Sequence, residues 1–431
     1  MKRAENLADA IRLFDPRKPL SGEALQDFYI DRPYNPLKQM RIFLQGLADE
    51  PVKLLFTGHV GSGKSTELNK LATLLKNQFF IVNLDVRRSL NLSDLSYVDL
   101  LLSLSSALFR RATEKDVLAR APAQIAADVW EDVSLFIERT ILGPVNFRPP
   151  KATAEFAAKA NLLAVEFEAK FSQETSTRQE VRERMEKRVP ELVDKLNFVA
   201  RQIRDHYKRP VLFFIEGTDK LDLTRSRDLF VNHTHSLTAF QAAVIYTFPV
   251  GLRYSPEFTL IKDHFNNHFV LPNVKLTERD GGEFPSGITH LRRAVELRAD
   301  LDLFEPQALD TIIRASGGLM RTLIRLVQGA AVHALSVDVD TGKRRITPHS
   351  AQAAINEERA DYIAALSAAD YAVLAERMAD KALSSDQAVQ RLLQSRALME
   401  YANGTPWCDA HPVIRDLVRE RTKQGQEEAV V

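Results

Sequence analysis

Five short apolar runs, rich in β-branched and aromatic residues, are separated along the chain by longer segments of mixed polarity. The runs are Val52–Thr57, Phe79–Val86, Val211–Ile215, Ala242–Phe248 and His268–Leu276. Because each run is apolar throughout instead of alternating, it is typical of a strand in a parallel sheet that is covered on both faces. Helical patterns lie between the runs, as right-handed crossovers between parallel strands require. The pattern predicts an α/β fold with a parallel sheet between two layers of helices.

A long insertion, at about residues 113–209, separates the second predicted strand from the third. The proline-rich segment Gly143–Lys151 divides it, since proline cannot continue a helix. Beyond this segment, apolar residues recur every three or four positions from Val181 to Ile203, which predicts an amphipathic helix with a kink at Pro190. The pattern favours packing of this helix on the sheet and leaves open a helical arm that faces a partner.

The pattern divides the chain into four regions. They are an N-terminal segment (1–50), a sheet domain (51–276), a helical lid (277–362) and a small C-terminal unit (363–431). Thr347 and Pro348 predict the start of a lid helix, as N-cap and first helical residue. The C-terminal unit is predicted to contain a helix over Gln387–Ser395, strands over Ala397–Tyr401 and Pro406–Asp409 joined by an Asn403-Gly404 turn, and a helix over His411–Thr422. Trp407 and His411 are interpreted as core residues of this unit.

The segment Gly58-His-Val-Gly-Ser-Gly-Lys-Ser65 lies directly between the first apolar run and a leucine-striped helix. It matches the pattern G-x-x-x-x-G-K-[S/T], in which glycines let successive backbone N–H groups point at phosphate oxygens. The residues expected to bind are Gly58, Gly61, Gly63, Lys64 (β- and γ-phosphates), Ser65 (Mg²⁺) and Thr66 (α-phosphate). The N-terminal dipole of the helix adds to the attraction for an anion. The segment predicts binding of a nucleoside triphosphate, ATP with Mg²⁺.

A carboxylate is expected at the end of a neighbouring strand, where it can hold Mg²⁺ or its water. The third run ends in Glu216, and Asp219 follows three residues later. An acid that ends a buried strand costs several kcal/mol unless a cation lies near it. Glu216 is therefore predicted to bind the metal together with Ser65, and Asp219 to position water or the metal.

Composition and charge exclude several classes of protein. The 431 residues carry 58 basic and 57 acidic side chains, so global charge gives no sign of binding to nucleic acid or to an anionic membrane. Cys408 is the only cysteine, which excludes an internal disulfide and a multi-cysteine metal site. No apolar run approaches the roughly 20 residues of a membrane helix, and the N-terminus has no apolar secretory core. A cytoplasmic protein without a membrane partner is expected.

These motifs resemble those of P-loop ATPases of the AAA+ and STAND (signal-transduction ATPase) type, from about Phe28 to the C-terminus. In the common AAA+ pattern the strand ends in an Asp-Glu pair, whose Asp holds the metal and whose Glu activates water. This sequence instead has Glu216 followed by Gly217, with the next acid at Asp219. That order is more similar to STAND and related switch ATPases. The resemblance therefore implies slow hydrolysis of ATP to ADP and phosphate.

The resemblance also implies residues that sense the nucleotide. Thr247 ends the fourth run and would lie at the γ-phosphate if the strand order is that of the family, although threonine is also common at strand ends. Ser316-Gly-Gly-Leu-Met-Arg321 resembles the sensor-2 motif, whose arginine reaches the nucleotide from a lid helix; a plain turn is the alternative. Phe28–Arg32 would lie at the adenine base. An arginine finger for a neighbouring subunit could come from Arg253, Arg292, Arg293 or Arg298.

The C-terminal unit, with His411-Pro-Val-Ile-Arg415 after its hairpin, resembles the winged helix of origin-recognition-like and STAND ATPases. A winged helix that reads DNA normally carries an excess of Lys and Arg. From Ile363 onward, eight basic residues stand against ten acidic ones, which favours intramolecular docking or protein recognition over DNA.

The leading hypothesis is a regulatory ATPase whose nucleotide state controls self-association or the binding of a partner protein, with signalling or phage defence as settings by analogy. The alternative is a DNA-handling AAA+ ATPase, such as an origin-recognition-like loader or a transposition regulator. A small-molecule P-loop kinase fits poorly, because no acceptor-site motif is present.

Overall fold

All five predicted strands form, and they pair into one parallel sheet. The computed structural model describes residues 2–112, 175–336, 344–402 and 404–428. The strands are β1 (Lys53–Thr57), β2 (Phe80–Asp85), β3 (Val211–Glu216), β4 (Ala243–Phe248) and β5 (Asn267–Val270), in the order β2-β3-β4-β1-β5. The last strand is shorter than predicted, because Pro272 follows it and has no N–H to donate to the ladder. The predicted fold class is confirmed.

Helices cover both faces of this sheet. Those of the N-terminal segment and the sheet domain are α1 (Leu7–Leu13), α2 (Gly22–Phe28), α3 (Leu37–Gly46), α4 (Lys64–Leu75), α5 (Val86–Ser89), α6 (Tyr97–Ala112), α7 (Thr175–Glu186), α8 (Val189–Tyr207), α9 (Leu223–Arg227), α10 (Thr234–Thr238), α11 (Val250–Arg253) and α12 (Phe258–Asp263). Successive strand residues point to opposite faces, so each strand serves two cores. Leu55 and Phe213 belong to the core under α6 and α8, whereas Leu54 and Leu212 belong to the core under α3 and α4.

The amphipathic pattern before β3 forms two helices instead of one kinked helix. The first ends at Glu186, and Pro190 occupies the first turn of α8, where its missing N–H costs no helical bond. Leu192, Leu196 and Val199 are buried in the same core as β2 and β3. The helix therefore packs on the sheet, as the sequence favoured. The proline-rich segment and the rest of the insertion up to residue 174 lie outside the described residues.

A second body of helices follows the sheet. It comprises α13 (Pro285–Glu296), α14 (Ala308–Ala315), α15 (Met320–Ser336), α16 (Pro348–Ala365), α17 (Ala368–Asp380), α18 (Gln387–Ser395), the hairpin strands β6 (Leu398–Tyr401) and β7 (Trp407–Ala410), and α19 (Arg415–Glu428). Leu7 of α1, Leu323 of α15 and Val418 of α19 share one hydrophobic core. The lid, the C-terminal unit and the first helix are thus packed together.

The local predictions for this second body can be compared with its structure. Thr347 caps α16 in a capping box with Ser350, and Pro348 begins the helix. The antiparallel hairpin and the helix over Gln387–Ser395 also form, while Asn403 of the predicted turn lies outside the described residues. Trp407 is buried at 3% exposure, as expected of a core residue. These are the elements that a winged helix requires, and the winged-helix assignment itself stays a prediction. None of the described helices combines the length and apolarity that a membrane crossing needs.

Lys53 at the start of β1 is buried and bonded only to backbone oxygens. Its Nζ donates to the carbonyls of Pro51 at 2.6 Å, Phe240 at 2.7 Å and Ala242 at 2.8 Å. Burial lowers its pKa to about 7. The three bonds join the segment before β1 to the segment that leads into β4. The ammonium therefore stabilises the amino edge of the sheet, at the opposite end of β1 from the phosphate loop.

Replacing Lys53 by methionine is expected to lower the free energy of unfolding by about 2 kcal/mol or more, because buried carbonyls lose their donor and a buried unsatisfied polar group costs roughly 1–3 kcal/mol. Denaturant titration measures this change. Lys38→Met removes an exposed lysine of α3 and serves as the matched control. Equal stabilities of the two variants would contradict the structural role of Lys53.

Candidate functional site

The phosphate loop connects β1 to α4 at the carboxyl edge of the sheet, and its glycines are required by both backbone angle and space. Gly61 and Gly63 have φ values of +97° and +108°, which residues that carry a side chain rarely adopt. A Cβ at Gly61 would lie 2.7 Å from Cβ of Arg321, and one at Gly63 would lie 2.6 Å from Nη2 of Arg32. The loop is therefore enclosed between the lid and the N-terminal segment.

Lys64 is the charged centre of the loop. Its side chain is 4% exposed, and Nζ contacts the carbonyls of Gly58 at 2.6 Å and His59 at 3.0 Å and the Asp219 carboxylate at 2.8 Å. These three acceptors use all three ammonium hydrogens. A phosphate group that binds Lys64 must therefore replace at least one of them.

The predicted metal ligands Ser65 and Glu216 lie beside each other, close enough for the Ser65 hydroxyl to lower the pKa of the carboxyl. Burial raises the pKa of Glu216, and the nearby carboxylates of Asp85 and Asp219 raise it further, against the hydrogen bond from Ser65. A divalent cation at this point would relieve that crowding of carboxylates. The described residues contain no cluster of three or more side chains that could hold a metal alone. A hydroxyl and one carboxylate, completed by phosphate oxygens and water, are a donor set that fits Mg²⁺.

Asp219 and Thr247 lie on the other side of Lys64. Burial alone would raise the pKa of Asp219, but the charge of Lys64 and hydrogen bonds from Lys64 and Thr247 hold it below its usual value. Thr247 pairs with Phe56 of β1, so the end of β4 is next to the phosphate loop. Its hydroxyl lies 3.1 Å from that of Thr218. The structure thus brings Thr247 and Asp219 together, and their roles stay predictions.

Arg321 is the second residue of α15, and the start of that helix contacts the loop directly. Its backbone N–H donates to the Gly61 carbonyl at 3.1 Å. Its side chain lines a small cleft of about 70 Å³, the phosphate cleft, together with Lys64, Ser65 and Thr247. Burial lowers the pKa of its guanidinium, with further repulsion from Arg396. The lid arginine therefore lies beside the phosphate loop, and its role toward the nucleotide stays a prediction.

Thr66 has a partner that the sequence did not indicate. Its hydroxyl accepts the backbone N–H of Leu20 at 3.2 Å, while the Asn69 side chain donates to the Leu20 carbonyl at 2.9 Å. The N-terminal segment is thereby held across α4. Beside it opens a cavity of about 960 Å³, which reaches from the phosphate loop to α13 and has room for a nucleotide base and sugar.

A buried network beside this cavity involves residues that sequence reasoning missed. Glu67 of α4 accepts hydrogen bonds from Tyr29 and Asn35, both at 2.9 Å. Arg32 lies 3.5 Å from the Glu67 carboxylate and donates to the carbonyls of Ser62 and Pro272. The segment Phe28–Arg32, which is predicted to lie at the adenine base, thus also holds the phosphate loop in place through Arg32. The available signal was the charged Glu67 on the apolar, buried face of α4.

The four candidates for an arginine finger differ in accessibility. Arg298 is buried at 5% exposure over the ring of Phe28, and Arg253 forms a buried ion pair within its own chain. Neither can reach a neighbouring subunit in this arrangement. Arg292 and Arg293 are more exposed and are paired with acids of their own chain.

The C-terminal unit is connected to the phosphate loop through Glu400 of β6. The backbone N–H of Glu400 donates to Nε2 of His59 at 2.8 Å, and its carboxylate pairs with Arg253 at 2.5 Å. Its carbonyl accepts from the Asn273 side chain at 3.0 Å. Glu400 therefore contacts the phosphate loop at His59, the end of α11 at Arg253 and the segment after β5 at Asn273. The sequence indicated intramolecular docking without identifying these contacts.

A second contact reaches the acidic side of the site. The Gln394 side chain, at the end of α18, donates to the backbone carbonyls of Asp219 at 2.9 Å and Leu221 at 3.1 Å. The carboxylate of Asp219 meanwhile holds Lys64. The C-terminal unit thus contacts residues on both sides of the lysine.

Comparisons with known proteins assign no family to this chain. No protein-family model matches the sequence. No curated protein matches it either. Among solved structures, the chain is similar to Cdc6p from Pyrobaculum aerophilum, with a TM-score of 0.40 and 12% identity over 96% of this chain and 98% of that one. It is also similar to a Walker-type ATPase of Pyrococcus abyssi, with a TM-score of 0.44 and 13% identity over 94% and 99% of the two chains. The function is therefore argued from the geometry of the site.

Acid is expected to weaken the contact between the loop and the C-terminal unit. Burial and the charges of Lys64 and Arg396 lower the pKa of His59 to about 3. The neutral ring is the form whose Nε2 can accept the hydrogen bond from Glu400. Between that value and the ordinary pKa of about 6.5, the unfolded chain binds more protons than the folded one, so stability falls as pH falls. Going from pH 7 to pH 5 is expected to cost about 2 kcal/mol per such histidine.

Denaturant titrations at both pH values, on the wild type and on His59→Asn, measure this effect. The variant is expected to lose less stability in acid than the wild type. His349→Asn, at an exposed position of α16, is the matched control and should keep the wild-type dependence. An unchanged pH dependence in His59→Asn would show that His59 does not titrate with unfolding.

Proposed function

We propose that this protein is a slowly hydrolysing ATPase switch, in which ATP with Mg²⁺ controls the docking of the C-terminal unit and thereby self-association or the binding of a partner protein. The observation that carries the proposal is the direct hydrogen bond from Glu400 to His59, a residue of the phosphate loop itself. A change in the loop cannot leave this contact unaffected. The resemblance of the sequence motifs to those of AAA+ and STAND ATPases supports the same function.

The switch would act through the acceptors of Lys64. Its ammonium is satisfied by two loop carbonyls and Asp219, and a triphosphate offers acceptors of higher charge. Once Lys64 turns to phosphate, the His59 carbonyl and the Asp219 carboxylate lose their donor. His59 contacts Glu400, and the backbone of Asp219 contacts Gln394. The two contacts with the C-terminal unit are therefore made by His59 and Asp219, the same residues that accept hydrogen bonds from the Lys64 ammonium.

The acidic end of β3 supports binding of the metal and slow turnover. Ser65 and Glu216 would hold Mg²⁺, which neutralises phosphate charge when bound. A second carboxylate directly after Glu216 would be strained, because Gly217 has a φ of +94° and a Cβ there would lie 3.0 Å from side-chain atoms of Val86 and Arg87. Without a carboxylate directly after Glu216, we expect the protein to hold ATP for long periods.

Lys64→Ala is expected to lower the affinity for ATP at least about 100-fold, because about two charge-assisted hydrogen bonds of 1.5–3 kcal/mol each are lost. Titration with a fluorescent ATP analogue measures the affinity. Gel filtration and small-angle scattering without nucleotide, with ADP and with a non-hydrolysable ATP analogue measure the response. The wild type should change in shape or mass, and the variant should not. Identical profiles of the wild type in all three conditions would reject the switch.

Glu400→Ala is expected to loosen β6 while nucleotide binding is retained, because it removes the carboxylate that pairs with Arg253, keeps the backbone N–H to His59 and lies outside the phosphate cleft. Hydrogen exchange of β6 and β7 should become faster without nucleotide and depend less on ATP. Glu420→Ala removes the same charge from an exposed position of α19 and should behave as the wild type. Slow, nucleotide-dependent exchange in Glu400→Ala would show that the ion pair with Arg253 does not hold the C-terminal unit.

The DNA-handling alternative remains a prediction from the sequence. The acidic balance of the C-terminal unit opposes it, and α18 packs against α11 of the sheet domain, where a Cβ at Gly251 would lie 2.5 Å from the Gln390 carbonyl. A docked α18 cannot enter a groove of DNA. Nucleotide-dependent, salt-sensitive DNA binding would revive this alternative.

A further inference from the structure

Arg87 lies in α5, directly after the carboxyl end of β2, and Asp85 fixes its orientation. Nε donates to Oδ1 of Asp85 at 2.8 Å, and Nη2 donates to Oδ2 at 2.5 Å. This two-point contact sets the plane of the guanidinium. Nη1 donates to none of the described residues, and 32% of the side chain is exposed. Arg87 is therefore held in place with donors still available for a ligand.

The aliphatic part of the Arg87 side chain packs against Gly217, the residue that follows the predicted metal ligand Glu216. A Cβ at Gly217 would lie 3.0 Å from Cγ of Arg87, and Gly217 has a φ of +94°. The glycine at this position leaves the space that Arg87 fills. The guanidinium is thereby brought to the side of the site where Glu216 and Ser65 meet.

The charges of the phosphate cleft favour a polyanion. Besides Arg87, its lining includes Lys64 and Arg321, and in all it contains six lysine and arginine side chains and one acidic side chain, Asp219. Such an excess of positive charge in a narrow cleft concentrates anions. Ser65 and Glu216 would hold a metal, which would neutralise charge on a bound triphosphate. Arg87 lies beside that metal position.

We propose that Arg87 binds the terminal phosphate of ATP from within the same chain, and so makes the site distinguish ATP from ADP. The inference rests on the proposed function, since it needs a nucleotide on Lys64. Four other arginines were candidates for a finger from a neighbouring subunit, and two of them are buried in their own chain. With Arg87 in cis, the distinction between ATP and ADP needs no assembled neighbour.

The test compares affinities for ADP and for a non-hydrolysable ATP analogue, both with Mg²⁺, by calorimetry. Arg87→Ala is expected to weaken binding of the ATP analogue about tenfold and to leave ADP binding unchanged, since only the terminal phosphate loses a charge-assisted bond. Arg88→Ala is the matched control, because Arg88 is adjacent, 85% exposed and only 3.7 Å from Asp85. Asp85→Asn, which loosens the anchor, should reproduce part of the loss.

The outcomes separate this inference from the proposed function. If the wild type binds neither nucleotide, or if Lys64→Ala binds both as well as the wild type, the proposed function fails. If the wild type binds both and Arg87→Ala keeps the wild-type ratio of the two affinities, this inference fails alone. An equal loss for ADP, or a loss matched by Arg88→Ala, would also overturn it. A ratio that develops only at high protein concentration would assign the contact to a neighbouring chain instead.

Discussion

The buried ammonium of Lys64 is the charge around which the site is arranged. A buried cation is costly unless all its hydrogens have acceptors, and here two loop carbonyls and the Asp219 carboxylate provide them. The same acceptors curl the loop and keep the acidic end of β3 ordered. Since His59 also contacts Glu400 and Asp219 also contacts Gln394, the charge balance of one lysine is connected to the C-terminal unit.

Glu400 shows how such a connection can be specific. Its N–H, carboxylate and carbonyl are each bonded to a different residue of the sheet domain, namely His59, Arg253 and Asn273. Three directional bonds on one residue fix its position far better than apolar contact does, and their loss would leave buried polar groups without partners. A docking contact of this kind is expected to open as a unit, which suits a two-state response to nucleotide.

Packing explains an unusual feature of the acidic strand. Gly217 follows Glu216 with a φ of +94°, and side-chain atoms of Arg87 and Val86 lie 3.0 Å from the place where its Cβ would be. A residue with a side chain would therefore be strained at this position. The cation Arg87 lies there instead, at the edge of the phosphate cleft.

Short-range patterns were enough for much of the molecule. The five strands, the capped start of α16 and the phosphate loop all follow from residues that are close in sequence, because apolar runs, caps and glycine-rich turns are local in origin. The division of one predicted helix into α7 and α8 shows the limit of such patterns, since periodicity continues across a break.

The amino-acid sequence by itself determined the sheet, the loop and the chemistry that Lys64, Ser65 and Glu216 can perform. Only the tertiary structure decided which distant side chains complete the site. Arg32, Arg87 and Glu400 come from three separate segments, and each looks like an ordinary charged residue until the fold brings it to the carboxyl edge of the sheet. Their partners are defined by long-range packing, and one sequence without its fold carries no local signal for such contacts.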